Sequence, residues 1–358
     1  MTLAPSVDWI ALVQHPDGMI PWFPGGHADP WNHVEAAMAL DAGGRHHEAE
    51  RAYRWLASTQ RPDGAWHRYY VGNRVEEATL DANVTAYVAT GVRHHHLATG
   101  DDAFLRLMWP VVERAMGFVL GLQRPGGEVV WARYADGTPW SFALLTASSS
   151  TCHSLRSALS VAAALGRSRP AWERAAQAVS VAVAHRPEAF LPKDRWAMDW
   201  YYPVLAGIVG GDEGRARLAA GRERFVLDGL GVRCVADKDW VTAAETCECA
   251  LAHLAVGETG WAHRLFDAAG HLRAPDGRWY TGMVHPQRVH FPADELTTYS
   301  AAAAVLAGAA LTGHGPTRSV FAPRAGAHAA ATVTTTIQTW NTEPGRISAT
   351  GAIDWADR

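Results

Sequence analysis

The stretch LDANVTAYVATGV at residues 80–92 combines an acidic start with an apolar helical pattern, and five other stretches share this design. They are HADPWNHVEAAMAL from His27, SSSTCHSLRSALSVAAALG from Ser148, MDWYYPVLAGIV from Met198, WVTAAETCECALAHLA from Trp240 and ELTTYSAAAAVLAGAAL from Glu295. Each follows a loop that carries carboxylates, aromatic residues or both. The first residues of consecutive stretches lie some tens of residues apart. A structural unit that repeats at such a spacing decides the architecture of a whole chain.

A second and more charged helical pattern separates consecutive members of this set. Examples are RHHEAERAYRWLASTQ at 45–60, DDAFLRLMWPVVERAMGFVLGLQ at 101–123 and PAWERAAQAVSVAVAH at 170–185. Helix pairs that cannot bury an apolar face alone stack side by side. The alternation therefore predicts an all-α fold, an (α/α)6 toroid with small-residue inner helices and charged outer helices. The segment from Val7 to Gln14 supplies the twelfth helix and closes the ring.

The inner helices of such a ring run in the same direction, so their N-terminal loops meet at one mouth. We expect residues 1–312 to form this single toroid domain. From Gly313 the periodicity fails, which predicts an irregular C-terminal tail over residues 313–358.

Composition narrows the classes of function. The net charge is −4 with a pI near 6.5, and no basic patch suits a nucleic-acid partner. No segment approaches the ~18 apolar residues that a membrane span needs, and no secretory signal is visible. The four cysteines lack CxxC spacing, which favours reduced thiols in a cytoplasmic protein.

Three Gly-containing turns share a pattern that favours a structural role. They read Gln60-Arg-Pro-Asp-Gly64-Ala-Trp66, Gln123-Arg-Pro-Gly-Gly127 followed by Trp131, and Ala274-Pro-Asp-Gly277-Arg-Trp279. Pro-Asp-Gly is a strong turn former, and the following Trp can fill the gap between neighbouring hairpins.

These turns resemble the repeats of squalene cyclases and protein prenyltransferases, which are α/α toroids. Actinobacterial proteins similar to this whole chain are commonly labelled prenyltransferases on that basis. Other motifs look more like the six-hairpin glycosidases, particularly the glucoamylase-like group. They are Asn83-Val-Thr85-Ala-Tyr87, Thr99-Gly-Asp101, Phe104-Leu, Trp109-Pro110 and Glu295-Leu-Thr-Thr-Tyr299-Ser300. In that group the catalytic base lies shortly before a Leu-Thr-Trp-Ser run, which implies this role for Glu295.

The prenyl chemistries demand residues that the sequence supplies poorly. A terpene cyclase of this fold uses an Asp-x-Asp-Asp motif, and the nearest match, Asp237-Lys-Asp239-Trp240, lacks the final acid. The sequence also lacks the pattern of zinc ligands that protein prenyltransferases use. A prenyltransferase or terpene cyclase-like enzyme, with Lys193 and Arg195 facing a diphosphate, remains the alternative function.

Glycoside hydrolysis needs two carboxyl groups that flank the scissile bond. We expect Glu245 to be the general acid and Glu295 the general base, because they start neighbouring inner helices. This chemistry requires neither a metal nor a cofactor, so we expect none. A further alternative is a non-catalytic sugar- or lipid-binding toroid in which the acids only cap helices.

The remaining mouth residues predict a binding site for a small-molecule substrate, either a sugar or a prenyl compound. Aromatic platforms and planar hydrogen-bonding groups are what a sugar site requires. The predicted substrate-binding residues are Asp29, Trp31, Trp66, Arg68, Tyr69, Asp81, Lys193, Arg195, Asp199, Trp200, Tyr201, Trp240 and Glu248.

Overall fold

A computed structural model describes residues 2–72 and 74–322, and its main feature is a double ring of helices. The inner helices are α2 (Pro30–Ala42), α4 (Ala82–Ala86) continued by α5 (Val88–Thr99), α7 (Leu145–Ala164), α9 (Ala197–Leu205), α11 (Ala243–Ala255) and α13 (Thr298–Leu311). The outer helices are α1 (Ala4–Val13), α3 (His46–Thr59), α6 (Asp102–Leu120), α8 (Pro170–His185), α10 (Gly211–Phe225) and α12 (Thr259–Ala269).

Packing between the inner helices closes the ring. Helix α2 packs against α5, and the contacts continue through α7, α9, α11 and α13 back to α2. Helix α1 packs against α13 and α2, as the twelfth helix of the sequence pattern predicted. The inner helices are buried on most faces, and α13 is an almost continuous buried run of Ala, Val and Leu. The predicted all-α toroid is confirmed.

Short antiparallel strands precede several inner helices at their N-terminal ends. Two pairs are β1 (Tyr69–Val71) with β2 (Arg74–Glu77), and β3 (Leu80–Asp81) with β4 (Ala132–Arg133). A five-stranded sheet contains β5 (Val226–Leu227), β6 (Gly231–Arg233), β7 (Trp240–Thr242), β8 (Gly282–Val284) and β9 (Val289–His290). Strands β3 and β7 lead directly into α4 and α11. The strands therefore fix where the acidic starts of those helices lie.

Glutamine side chains connect successive outer helices. Gln60 ends α3, and its Nε2 donates to the carbonyl oxygens of Gly64 and of Val111 in α6, each at 2.9 Å. Gln123 makes the same two bonds to the carbonyls of Gly127 and of Ala175 in α8, at 3.1 and 3.0 Å. We call this arrangement the glutamine staple. A third staple joins Gln14 to the carbonyls of Gly18 (3.0 Å) and Glu48 (2.9 Å).

Each staple depends on a glycine with positive φ that lies against the next outer helix. A Cβ on Gly64, at φ +92°, would lie 2.2 Å from the carbonyl oxygen of Arg114. The turn at Gly277 closes the ring differently, because the Ser6 hydroxyl of α1 donates to its carbonyl at 2.7 Å. Trp279 then donates its indole N–H to Ser6 at 3.1 Å. The structural role predicted for these turns is confirmed by these contacts.

One further helix lies in the segment that the sequence analysis assigned to an irregular tail. Helix α14 (Gly315–Phe321) buries Thr317, Val320 and Phe321. The Thr317 hydroxyl lies 2.9 Å from His94 Nε2, and the Val320 carbonyl lies 3.0 Å from His153 Nε2. The prediction of irregular structure was therefore wrong for residues 315–321, because a helix of two turns is too short to show periodicity. Residues 323–358 of the proposed tail lie outside the described residues.

Within residues 2–72 and 74–322, no helix combines the length and the apolar character that crossing a membrane would require.

The close approach at Gly64 generates a stability prediction with a matched control. Gly64 and Gly137 share a φ of +92°, but a Cβ on Gly137 would meet no atom within 4 Å. We expect Gly137→Ala to lower the free energy of unfolding by about 1–2 kcal/mol from backbone strain alone. Gly64→Ala should cost at least about 2 kcal/mol more, because the methyl group overlaps a backbone carbonyl. Denaturant unfolding of both variants measures the difference. An equal loss in the free energy of unfolding for both would contradict the requirement that residue 64 lie directly against the backbone of α6.

Candidate active site

Carboxylates gather at the N-terminal ends of the inner helices, as the sequence predicted for one mouth. Asp29 caps α2 by accepting from the Asn32 N–H at 2.9 Å, and Asp81 caps α4 by accepting from the Val84 N–H at 3.0 Å. Asp199, in the first turn of α9, accepts from the hydroxyl of Thr146 at 2.5 Å. Helix capping explains the position of Asp29 and Asp81, whatever further role they have.

Asp29 is held by more donors than a cap requires. Its second carboxylate oxygen accepts from the Trp22 indole N–H at 2.6 Å and from the Asn32 side chain at 2.7 Å. Asp29 is only 4% exposed. The Tyr69 ring packs edge-on against Trp22 with centroids 5.9 Å apart, and burial and then the charge of Asp29 raise the pKa of its phenol. The carboxylate of Asp29 is thus fixed in orientation beside an aromatic wall.

Asp81 is a buried acid with an altered protonation equilibrium. Burial raises its pKa to about 6, although the charge of Arg68 and hydrogen bonds from Val84 and Trp131 offset part of that rise. The Arg68 guanidinium lies over the rings of Tyr69 and Trp131, 5.3 and 5.4 Å from their centroids. Arg68 therefore links the loops that precede α4 and α7 at the mouth.

Glu245 and Glu295, the predicted catalytic pair, each accept a hydrogen bond from a threonine hydroxyl. Glu245 accepts a hydrogen bond from Thr242, and Glu295 accepts from Thr281 at 2.8 Å. Burial raises the pKa of Tyr299, and the charges of Glu295 and Glu245 raise it further. Both carboxylates are half-buried, and they belong to α11 and to the loop before α13, which are neighbours in the ring. The structure brings the two groups to one side of the mouth.

A second pair of acids lies deeper, below the mouth. Tyr87 donates to Glu35 in α2, and Tyr201 donates to Glu248 in α11. Burial raises the pKa of Glu35 to about 7. Burial also raises the pKa of Glu248 well above its ordinary value, and the charges of Glu35 and Glu245 add to that rise. We call Glu35, Tyr87, Tyr201 and Glu248 the floor of the site, and its two carboxylic residues the floor acids.

An aromatic surface lies directly on this floor. Trp31 stacks on Tyr87, with ring centroids 3.8 Å apart and planes 12° from parallel. Tyr202 lies 6.1 Å from the Trp31 ring. Across the mouth, Trp240 packs edge-on against Phe291 and donates its indole N–H to the Phe291 carbonyl at 3.0 Å. Half-buried Trp31 and Trp240 are thus positioned to contact a ring-shaped ligand.

Two predicted binding residues point elsewhere. Trp66 is 0% exposed and donates its indole N–H to the Leu56 carbonyl at 3.0 Å, inside the wall. Trp200 stacks on Phe225 of α10 and donates to the Arg217 carbonyl at 2.9 Å. Both fill gaps between inner and outer helices, so neither can contact a ligand in the mouth. Their assignment as binding residues was wrong.

The two predicted cationic residues have different partners. One Nη of Arg195 donates to both carboxylate oxygens of Asp237, at 2.9 and 3.0 Å, on the exposed surface. The Lys193 ammonium lies over the Trp196 ring, 5.9 Å from its centroid. Burial raises the pKa of Asp199, and the charge of Lys193 is one of the effects that oppose this rise.

Sequence reasoning did not assign Glu35, Tyr87 or Tyr299 to the site. The signal for Glu35 was present, because a single carboxylate interrupts the apolar run Val34–Met38 on an inner helix. In residues 2–72 and 74–322, no group of three or more His, Cys, Asp and Glu side chains is arranged to hold a metal ion.

Comparison with known proteins identifies relatives of the whole ring. No family model matches the chain. It is 49% identical over 319 residues to an MMP endo-(1,4)-3-O-methyl-alpha-D-mannosidase from Mycolicibacterium hassiacum, and the match covers 88% of each chain. Both the sequence identity and the coverage are high enough to establish common descent.

Solved structures with the same fold include several sugar-acting enzymes. A wild-type glycosidase superposes with a TM-score of 0.69 at 15% identity, covering 86% of this chain and 95% of its own. A GH63 mannosylglycerate hydrolase from Thermus thermophilus gives a TM-score of 0.64 at 13% identity, covering 85% and 99%. A D-mannose isomerase gives 0.64 at 11% identity, covering 85% and 95%. At these identities the likeness concerns the fold.

The raised pKa of Glu35 predicts how stability depends on pH. An ordinary Glu ionises near pH 4.5, whereas Glu35 in the folded chain stays protonated until about pH 7. The folded state therefore binds more protons than the unfolded state between these values, so stability falls as pH rises across that window. Glu35→Gln keeps an acceptor for Tyr87 but cannot ionise. At pH 8 it should be more stable than the wild type by up to about 3 kcal/mol, and at pH 4 the difference should disappear.

Denaturant unfolding across pH 4–8 measures this difference. Glu188→Gln is the matched control, because the Glu188 side chain is 69% exposed and its substitution should leave the pH dependence unchanged. If the free energy of unfolding of Glu35→Gln followed that of the wild type at every pH, protonation of Glu35 in the folded chain would be contradicted.

Proposed function

The chain belongs to the glycosidase family of the mycobacterial endo-mannosidase to which it is 49% identical, and on that premise we propose that it cleaves internal α-(1,4) bonds of a mannan that carries 3-O-methyl groups. The chain is a glycoside hydrolase-like enzyme of the six-hairpin toroid superfamily, which confirms the leading prediction from the sequence. The prenyl alternative gains no support from this relative, which is an endo-mannosidase.

The observation that carries the proposed mechanism is the placement of Glu245 and Glu295 on adjoining segments at one side of the mouth. Both side chains are half-buried. The Thr281 N–H donates to the Glu295 carbonyl at 3.0 Å, and the Ala243 N–H at the start of α11 donates to the Thr281 carbonyl at 3.1 Å. A non-catalytic toroid would need only caps here, yet neither Glu245 nor Glu295 accepts a capping bond from a helix N–H in the structure.

In the proposed reaction Glu245 is the general acid and Glu295 the general base. Glu245 donates its proton to the glycosidic oxygen while the bond from that oxygen to C1 breaks. Glu295 removes a proton from water, and the water oxygen attacks C1 from the opposite face of the sugar. The products are two shorter sugar chains, and the configuration at C1 is inverted. Such an inverting pair needs carboxyls about 6.5–9.5 Å apart, so that the water fits between base and substrate.

The other mouth residues orient the substrate in this proposal. Trp31, Tyr69 and Trp240 supply faces on which sugar rings pack, as aromatic rings bury apolar C–H surfaces. Asp29, Asp81, Asp199, Arg68 and Lys193 supply hydrogen bonds to sugar hydroxyls. Glu248 and Tyr201 form the polar floor below them. A fixed carboxylate such as Asp29 binds a hydroxyl without losing further side-chain entropy.

A cytoplasmic location remains a prediction from the sequence. The four cysteines are buried and free, which fits the reduced thiols expected of a cytoplasmic enzyme.

Separate Gln substitutions test the catalytic pair. We expect Glu245→Gln and Glu295→Gln each to lower kcat by roughly 10²- to 10⁴-fold on a methylated α-(1,4)-mannan oligosaccharide, because each removes one proton transfer. KM and thermal stability should change little, since Gln keeps the shape and an acceptor oxygen. Product formation by liquid chromatography measures the rate. Glu213→Gln, on the exposed side of α10, is the control and should retain full activity.

The rates of the two variants show separately whether Glu245 and Glu295 have the proposed roles. A wild-type rate for Glu295→Gln would contradict its role as base, and Asp29 would become the leading partner for Glu245 because its carboxylate is rigidly held at the same mouth. A wild-type rate for Glu245→Gln would overturn the proposed mechanism altogether.

A further inference from the structure

An aromatic cluster extends from the mouth towards solvent on the side of α4 and α7. Trp131 lies beside the mouth acid Asp81, because the N–H of the next residue, Ala82, donates to the Trp131 carbonyl at 2.9 Å. Trp140 packs edge-on against Trp131 with centroids 4.8 Å apart, and Tyr134 packs against Trp140 at 5.3 Å. Phe142 packs against Trp131 at 5.8 Å and against Trp140 at 5.5 Å. We call these four aromatic residues the outer aromatic platform.

The backbone holds this platform in a fixed position relative to Asp81. Strand β4 pairs with β3, placing Ala132 opposite Asp81. The Trp131 N–H donates to the Phe142 carbonyl at 3.1 Å, and the Trp140 N–H donates to the Ala132 carbonyl at 2.9 Å. The segment therefore folds back on itself beside the mouth, and its rings form a continuation of the mouth wall.

The outer end of the platform is open to solvent. Tyr134 is 50% exposed, although an aromatic side chain of this size is usually more buried. The turn that follows, residues 135–139, is exposed throughout. Its shape comes from local bonds, since the Thr138 N–H donates to Asp136 at 2.8 Å and the Tyr134 N–H donates to the Thr138 carbonyl at 2.9 Å. The exposed Tyr134 ring thus lies next to a turn that is stabilised by its own local hydrogen bonds.

We infer that the outer aromatic platform is a sugar-binding subsite that holds a residue of the mannan chain outside the mouth. This inference rests on the proposed function, because its ligand is the same chain that the proposed reaction cleaves. Aromatic rings pack against the C–H face of a sugar. A methoxyl group enlarges the apolar surface that such rings bury, so a methylated chain fits the platform better than an unmethylated one.

Chain length separates this subsite from a merely structural cluster. We expect Tyr134→Ala and Trp140→Ala to raise KM for a long methylated oligosaccharide by roughly three- to tenfold, the worth of an aromatic contact. Values of kcat should stay within twofold, and a short substrate that fills only the mouth should show unchanged KM and kcat. Removal of a contact used equally in the ground and transition states changes KM alone.

Two controls make the outcome decisive. Leu97→Ala removes an exposed apolar side chain near the C-terminal end of α5, away from the mouth, and should behave as the wild type for every length. Tyr134→Phe keeps the ring and should keep most of the affinity. An equal KM rise for short and long substrates, or no rise for either in both Ala variants, would overturn the subsite.

Failure of the proposed function has a different signature. A wild-type enzyme that cleaves no methylated mannan of any length would refute the activity itself. Calorimetric titration of the wild type and Tyr134→Ala with the same long oligosaccharide then still tests the platform. Weaker binding by Tyr134→Ala alone supports it, and equal binding by both proteins contradicts it.

Discussion

The glutamine staple is the interaction on which the remaining structure depends. One amide group bonds the carbonyl of its own turn and a carbonyl of the next outer helix, which joins α1 to α3, α3 to α6 and α6 to α8. The bonds form only because a glycine at positive φ lets the turn touch that helix. Ser6 joins helix α1 to the turn at Gly277 and Trp279 in a comparable way. Together with the packing of each inner helix on the next, these contacts hold the N-termini of the inner helices at one mouth.

Convergence of helix N-termini explains why carboxylates lie at the mouth, and the depth of each carboxylate explains why their pKa values differ. Unpaired backbone N–H groups and the helix dipole stabilise an acid in the first turn. Asp29 and Asp81 use that effect directly as caps. Glu35 and Glu248 lie farther down the barrel, where burial outweighs the benefit and raises their pKa. The ring therefore combines capping acids at its mouth with deeper acids, Glu35 and Glu248, whose pKa is raised by burial.

The sequence was sufficient to predict the ring but only part of the site. Helix starts such as Asp29, Asp81 and Asp101 are marked by local capping chemistry, and inner helices are marked by composition. The direction of a side chain depends on tertiary packing instead. Trp66 and Trp200 both lie beside turns, yet they fill the wall between two helix layers. Glu35 meets Tyr87 and faces Glu248 only because α2, α5 and α11 share one barrel. Helix α14 escaped notice because two turns leave no readable period.

The proposed hydrolysis uses an acid and a base on neighbouring inner helices, with water entering opposite the leaving group. The anomeric form of the first product distinguishes this route from one with a covalent intermediate. Proton NMR during cleavage of an α-(1,4)-linked 3-O-methylmannose oligosaccharide resolves the new reducing end before it mutarotates. We expect the β-anomer to appear first, because direct attack by water inverts C1. Initial formation of the α-anomer would indicate a covalent intermediate and would contradict the assigned roles of Glu245 and Glu295.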